Sequence, residues 1–204
     1  MKIHHAPNSR SVRAVWLFEE LGLPYDLQVY KLGDPAMRAP EYLKKHPMGR
    51  VPALEDGDVT IFESGAITEY VLTRYGNGRM RPAVDSADYP GYLQWLHYSE
   101  GMLMPQVNLI MVETFFLPPE RRNEENVKRA TKLLTRMLTA VEAHMADGKE
   151  FLAGGFSGAD IMTGHACIVS KRLNADFSDK PNVAAYVDRL TARPAYQRAV
   201  GISA

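Results

Sequence analysis

The chain has 204 residues, 46% of them hydrophobic, with 24 Lys and Arg set against 24 Asp and Glu for a formal net charge of zero at pH 7. That length suits one large domain or two small ones, and the even mixing of acids and bases leaves no electrostatic footprint for nucleic acid or an anionic membrane. No apolar run reaches membrane-spanning length and the N-terminus enters a strand pattern directly, so a cytoplasmic protein with small-molecule or protein partners is expected.

In chain order, "MKIHH" reads as a strand. Ala14, Leu17, Phe18 and Leu21 then fall on one face of a helix that stops at Gly22, with Pro24 just beyond. "YDLQVY" is a second strand, and "AMRAPEYLKKHP" a short helical stretch broken by Pro40 and Pro47. "PALED" and "VTIF" flank Asp56-Gly57, a dipeptide typical of hairpin turns, and a helix from about Gly65 carries Ile67, Tyr70 and Val71 inward. The order strand, helix, strand, helix, strand, strand, helix predicts a mixed sheet with helices on its faces.

"GNGRMRPAVDSAD" reads as a linker, after which strand signals vanish. Leu96, Leu103, Val107 and Ile110 mark one helical stripe, and Val127, Ala130, Leu134, Leu138, Val141 and Met145 another, with Pro118-Pro119 between them. Val183, Tyr186, Val187 and Leu190 mark a third. The reading is an α/β domain at 1–76, a linker at 77–88 and an all-helical domain at 89–204.

Within the helical half, "FSGADI" sets Ser157 three residues before Asp160, the spacing of a capping box, with Phe156 and Ile161 in the places of a hydrophobic staple. Its expected role is structural. The single cysteine, Cys167, excludes a disulfide framework and a Cys-x-x-Cys pair, so thiol chemistry would need a thiol brought by a ligand. His4, His5 and His46 come without metal-ligand spacing, and no metal is expected.

"SRSVRAVWLFEELGLPY", "GRVPAL", "ESGAI" and "FSGADI", in that order across nearly the whole chain, resemble the cytosolic glutathione transferases, specifically a serine-type, theta-like or related bacterial class. The resemblance implies a thioredoxin-like N-terminal domain (βαβαββα) that binds glutathione, a helical domain that supplies an electrophile pocket, and a homodimer. Glutathione enters as co-substrate.

The resemblance also implies roles. Val51-Pro52 is expected to be cis, which would present the backbone of Val51 to an extended peptide as a strand would. Ser64, at a helix N-terminus, is expected to receive the α-carboxylate of the γ-glutamyl group, and Glu63 its ammonium. Arg50 is the basic residue beside Val51. His46 stands before Pro47 where the family often has Asn, and is a candidate for the glycyl end.

A free thiol of pKa about 8.5 is only about a few per cent thiolate at neutral pH, and the thiolate is the nucleophile. A hydrogen-bond donor beside a helix N-terminus favours the charged form. In "APNSRSVRAV" three residues are candidates for that donor: Ser9 first, four residues before Arg13 as in serine-type members, then Asn8 as in bacterial relatives, then Ser11. The plainer alternative is a helix cap.

Trp95, Tyr98, Met102, Met104, Phe115 and Phe116 are the candidates for the electrophile pocket, with core packing the commoner fate of such residues. Glu100 is a candidate contact to a glutathione ammonium across a dimer. Two further readings stay open: a non-catalytic binding or scaffold protein on the same fold, and a glutathione-dependent peroxidase, isomerase or dehalogenase.

Overall fold

The computed structural model describes residues 1–204, and its contacts separate two units, Met1–Arg81 together with Ala192–Ala204, and Pro82–Thr191. The first unit contains β1 (Lys2–His5), α1 (Ser11–Leu21), β2 (Asp26–Val29), a 3₁₀ turn at Pro35–Arg38, α2 (Pro40–Leu43), β3 (Ala53–Asp56), β4 (Val59–Phe62) and α3 (Ser64–Tyr75). The sheet order is β2-β1-β3-β4, with β1 parallel to β2 and antiparallel to β3, and β3 antiparallel to β4. This is the expected thioredoxin-like arrangement. Asp56 pairs with Val59 across a tight hairpin whose Gly57 sits at φ +59°, a conformation that costs glycine little.

Helix α1 ends where a glycine permits it. Gly22 adopts φ +66° and the Leu23 N–H closes on the Phe18 carbonyl at 3.1 Å. The periodicity marks one apolar face, yet every residue from Ser11 to Phe18 is buried. The reason is α9 (Pro194–Val200), a helix at the far end of the chain that packs along α1. The Trp16 ring meets Tyr196 edge-on at 4.9 Å, and Arg193 grips Glu20 with two hydrogen bonds of 2.6 and 2.8 Å. Each fully buried large apolar side chain here contributes about 1.5–3 kcal/mol.

The second unit contains α4 (Tyr89–Tyr98), a π turn at Ser99–Leu103, α5 (Met104–Met111), a second π turn at Val112–Phe116, α6 (Glu124–Met145), a third at Asp160–Gly164, α7 (His165–Arg172) and α8 (Pro181–Thr191). The stripes read from the sequence are buried, apart from Val127 at the edge of the second. Carboxylates distant in sequence cap two of these helices. Glu113 accepts the Asn123 N–H at 2.9 Å at the start of α6, and Glu142 accepts the Val183 N–H at 2.9 Å at the start of α8.

"FSGADI" forms half of the expected box: the acid accepts the Ser157 N–H, but the Asp160 N–H goes to the Ser157 carbonyl at 3.0 Å and the Ser157 hydroxyl donates to the acid instead of accepting. Asp160 is fully buried and accepts four hydrogen bonds, from the Ser157 N–H at 2.8 Å, the Ser157 hydroxyl at 3.0 Å, the Leu152 N–H at 3.0 Å and the Tyr186 hydroxyl at 2.7 Å. Cys167 is buried nearby in the sequence on α7, and burial pushes its thiol up to about 12, which keeps it an unreactive packing group. No helix is long and apolar enough to cross a membrane.

Candidate functional site

Strand register gathers the candidate residues of the first unit. His4 pairs with Ala53, so the C-terminal end of β1 lies beside the N-terminal end of β3. Ala53 pairs with Phe62, so the residues before β3, Val51 and Pro52, lie level with those after β4, Glu63 and Ser64. The turn from β1 to α1, the Val51-Pro52 peptide and the start of α3 therefore meet at one end of the sheet.

The first component is the Ala6–Arg10 turn. Asn8 is exposed and takes φ +59°, a left-handed conformation that asparagine tolerates better than most residues. Ser9 is half-buried. Its hydroxyl accepts the Ser11 N–H at 3.1 Å, donates to the Ala6 carbonyl at 2.8 Å and lies 2.7 Å from the Ser11 hydroxyl. It thus serves the start of α1 as a cap-like acceptor while staying partly open. Ser11 is 0% exposed, and its hydroxyl lies 2.8 Å from His5 Nδ1, behind the more open Ser9.

The second component is the Val51-Pro52 peptide, which is cis, as the resemblance implies. Its approach is built by Gly49 at φ +57°, where a Cβ would stand 2.4 Å from the Met37 carbonyl oxygen, and by the Tyr42 hydroxyl, which donates to the Arg50 carbonyl at 2.6 Å. The Arg50 side chain is exposed. His46 is 6% exposed, its Nδ1 accepts the Met48 N–H at 3.3 Å, and its ring lies 4.7 Å from Phe62. Burial lowers its pKa from 6.5, while Glu63 pulls it back up and Arg50 pushes it further down.

The third component is the start of α3. Glu63 is exposed at φ +74°, a strained conformation for a residue other than glycine. Its carbonyl accepts the Ile67 N–H at 2.9 Å, so the free N–H groups of the first turn begin at Ser64. Ser64 is the first helical residue rather than the cap, and its buried hydroxyl accepts from Arg13 Nη1 at 3.0 Å.

Arg13 was missed as a functional residue. It is 0% exposed, reaches from α1 to α3, and places positive charge behind the helix start. The one sequence signal is a charged residue inside the run from Val12 to Phe18. His5 was missed too, since only the fold sets it against Ser11.

In the second unit the six aromatic and methionine candidates separate by burial. Trp95, at 4% exposed, packs against Tyr98 at 5.1 Å and His144 at 4.7 Å, and Met104 is also 4% exposed; both are core residues. Tyr98 is half-buried, with its hydroxyl committed to the Met137 carbonyl at 2.8 Å. Met102, Phe115 and Phe116 are exposed, and Glu100 is half-buried in the first π turn. No group of three or more His, Cys, Asp or Glu side chains is placed to hold a metal ion.

Residues 1–73 match the family description "Glutathione S-transferase, N-terminal domain" and residues 106–194 match "Glutathione S-transferase, C-terminal domain". Glutathione S-transferase 3 of Schizosaccharomyces pombe is 34% identical over 170 residues, which span 78% of this chain and 69% of that protein. Glutathione S-transferase 4 of Zea mays is 35% identical over 193 residues, 90% of this chain and 83% of that protein. A crystal structure of a glutathione transferase family member from Pseudomonas fluorescens Pf-5, with two glutathione bound, superimposes with a TM-score of 0.87 at 25% identity, covering 99% of this chain and 92% of that one. Sequence and fold agree throughout, and the chain belongs to the glutathione S-transferase family.

Proposed function

We propose that this chain is a glutathione transferase that holds glutathione at the shared end of β1, β3 and β4 and presents its sulfur as a thiolate to small apolar electrophiles. The observation that carries this reading is the convergence of three unlike features at one sheet end: a half-open serine turn, a cis peptide, and a helix start entered through a strained acid.

Each feature answers one part of the tripeptide. The Val51 backbone pairs with the extended cysteinyl segment. The N–H groups at Ser64 and Gly65, backed by Arg13, receive the γ-glutamyl carboxylate, and exposed Glu63 takes the ammonium. Arg50 and His46 serve the glycyl carboxylate. Ser9 donates to the sulfur beside the first turn of α1, and Asn8, more exposed at the tip, is the competing donor.

Ionisation releases the thiol proton to solvent; the sulfur lone pair then bonds to the electrophilic carbon while a leaving group departs or a double bond opens. Among the aromatic and methionine candidates, Met102, Phe115 and Phe116 are the exposed ones and so the ones open to an apolar electrophile. A homodimer completes the proposal, and sedimentation of the purified protein checks it.

Calorimetry with reduced glutathione, paired with conjugation to an aryl halide, tests the reading. Folded protein should bind glutathione and turn over, and Glu63→Gln should weaken binding about tenfold or more, as expected for a lost charged hydrogen bond. Absence of binding by folded protein contradicts the proposal. Binding without turnover across a panel of electrophiles favours the non-catalytic reading.

A further inference from the structure

The Ser9 hydroxyl has a second network behind it that ends on a buried histidine. His5 is 0% exposed on β1, its Nδ1 lies 2.8 Å from the Ser11 hydroxyl, and its Nε2 is buried with no hydrogen-bond partner in the protein. The Ser11 hydroxyl also accepts the Ala6 N–H at 3.0 Å and lies 2.7 Å from the Ser9 hydroxyl, which in turn accepts the Ser11 N–H at 3.1 Å.

Counting protons orients this chain. A neutral imidazole carries one N–H. On Nε2 it would be a buried donor without an acceptor, the costlier kind of unmade bond, whereas on Nδ1 it has the Ser11 oxygen at 2.8 Å. With the proton on Nδ1, both acceptor positions of Ser11 are filled, by His5 and by the Ala6 N–H. Ser11 must then donate, and of the two acceptors in reach Ser9 at 2.7 Å is nearer than the Ala6 carbonyl at 3.1 Å, which already receives the Ser9 hydroxyl at 2.8 Å. Both acceptor positions of Ser9 are thereby filled as well, by the Ser11 N–H and O–H. Ser9 can act only as a donor, and its proton lies on the Ala6 carbonyl at 2.8 Å, from which it turns to meet a ligand.

The other tautomer reverses the chain. Ser11 would donate to His5, the 2.7 Å contact would take the Ser9 proton inward, and Ser9 would offer a ligand a lone pair, which repels a thiolate.

We infer that His5 is a positioning residue: its Nδ1–H directs Ser11 toward Ser9 and so leaves Ser9 a proton to give to a bound thiolate. The inference rests on the proposed role of Ser9. Burial supports it by keeping the ring neutral, since desolvation lowers the His5 pKa below the ordinary 6.5 against an upward pull from Ser11. Successive donation along a buried chain also polarises each bond in it, which strengthens the last donor.

Two measurements decide it. In ¹⁵N-histidine-labelled protein, long-range nitrogen–proton couplings of His5, identified by their loss in His5→Asn, should show the proton on Nδ1; a proton on Nε2 overturns the inference. The second measurement is the pKa of the bound glutathione thiol, followed by thiolate absorbance. His5→Phe keeps the bulk and removes the donor, and should raise that pKa by about one unit, a tenfold loss of thiolate below it, with glutathione affinity little changed. His5→Asn, whose amide can stand where Nδ1 stood, should restore it toward wild type.

If Ser9→Ala raises the thiol pKa and folded His5→Phe does not, the His5 assignment falls while the Ser9 reading stands. If Ser9→Ala leaves it unchanged, the Ser9 reading falls and takes this inference with it. Should His5→Phe not fold, the tautomer of the wild-type protein decides alone.

Discussion

Two serine-bearing turns, "PNSRS" and "FSGAD", sit at helix starts in the two units of this molecule, and they put similar chemistry to opposite uses. Around Asp160 every donor and acceptor is consumed internally and the carboxylate has no exposed surface. Around Ser9 the network is also hydrogen-bonded, yet it runs from buried His5 and Ser11 to a hydroxyl that stays half-open next to exposed Asn8. A closed network of this kind specifies structure, while a network with one open end offers a donor to a ligand.

The sharpest way to break the contrast is Asp160→Ala. It strands four donors at once, so we expect a loss of about 3–5 kcal/mol in denaturant unfolding, or failure to fold, with no selective effect on the chemistry of molecules that do fold. A loss below about 1 kcal/mol would mean that the box is not a keystone of the second unit.

Ser9→Ala should do the reverse. Conjugation should fall about tenfold to a hundredfold, equivalent to about 1.4–2.7 kcal/mol of transition-state stabilisation, with glutathione affinity largely kept. Asn8→Ala, assayed in parallel, should have much the smaller effect; the opposite ranking would transfer the sulfur contact to Asn8.

Ser157→Ala is milder because Asp160 keeps the Ser157 N–H, Leu152 N–H and Tyr186 hydroxyl after the Ser157 hydroxyl is lost. About 1 kcal/mol of destabilisation is expected, read from the same denaturant curves.

These differences show which parts of the molecule were legible in its sequence. The hairpin strand "VTIF" is β4 to the residue, the helical stripes are buried, and Ser157 and Asp160 pair as their spacing predicts, because each is a local pattern. The packing of α9 on α1 was not legible, since it joins residues such as Glu20 and Arg193 across most of the chain and the periodicity of α1 marks only one face. Arg13 meeting Ser64 is hidden for the same reason, 51 positions apart in sequence. The candidate site was legible as motifs, while its division of labour was not: the sequence ranks Ser9, Asn8 and Ser11 by resemblance alone, and only the fold gives them different exposures.

The smallest expected effect is on pH. His4 and His5 both hold pKa values below 6.5, burial being the largest cause in each. Below about 6.5 the unfolded chain then binds more protons than the native one, so stability holds above that value and declines as the pH falls through it toward the native pKa values. Urea midpoints measured from about pH 7 down to about pH 5.5 should decrease, and His5→Asn should flatten part of the slope. A midpoint that rises on acidification in that window would contradict the buried, neutral state of these rings.

The open-ended network is expected above all to lower the pKa of a bound thiol. Titration of thiolate absorbance in the glutathione complex should give a pKa at least about one unit below that of free glutathione, with most of the difference lost in Ser9→Ala. A complex whose thiol titrates at the free value, in protein that is folded and saturated with glutathione, would contradict it.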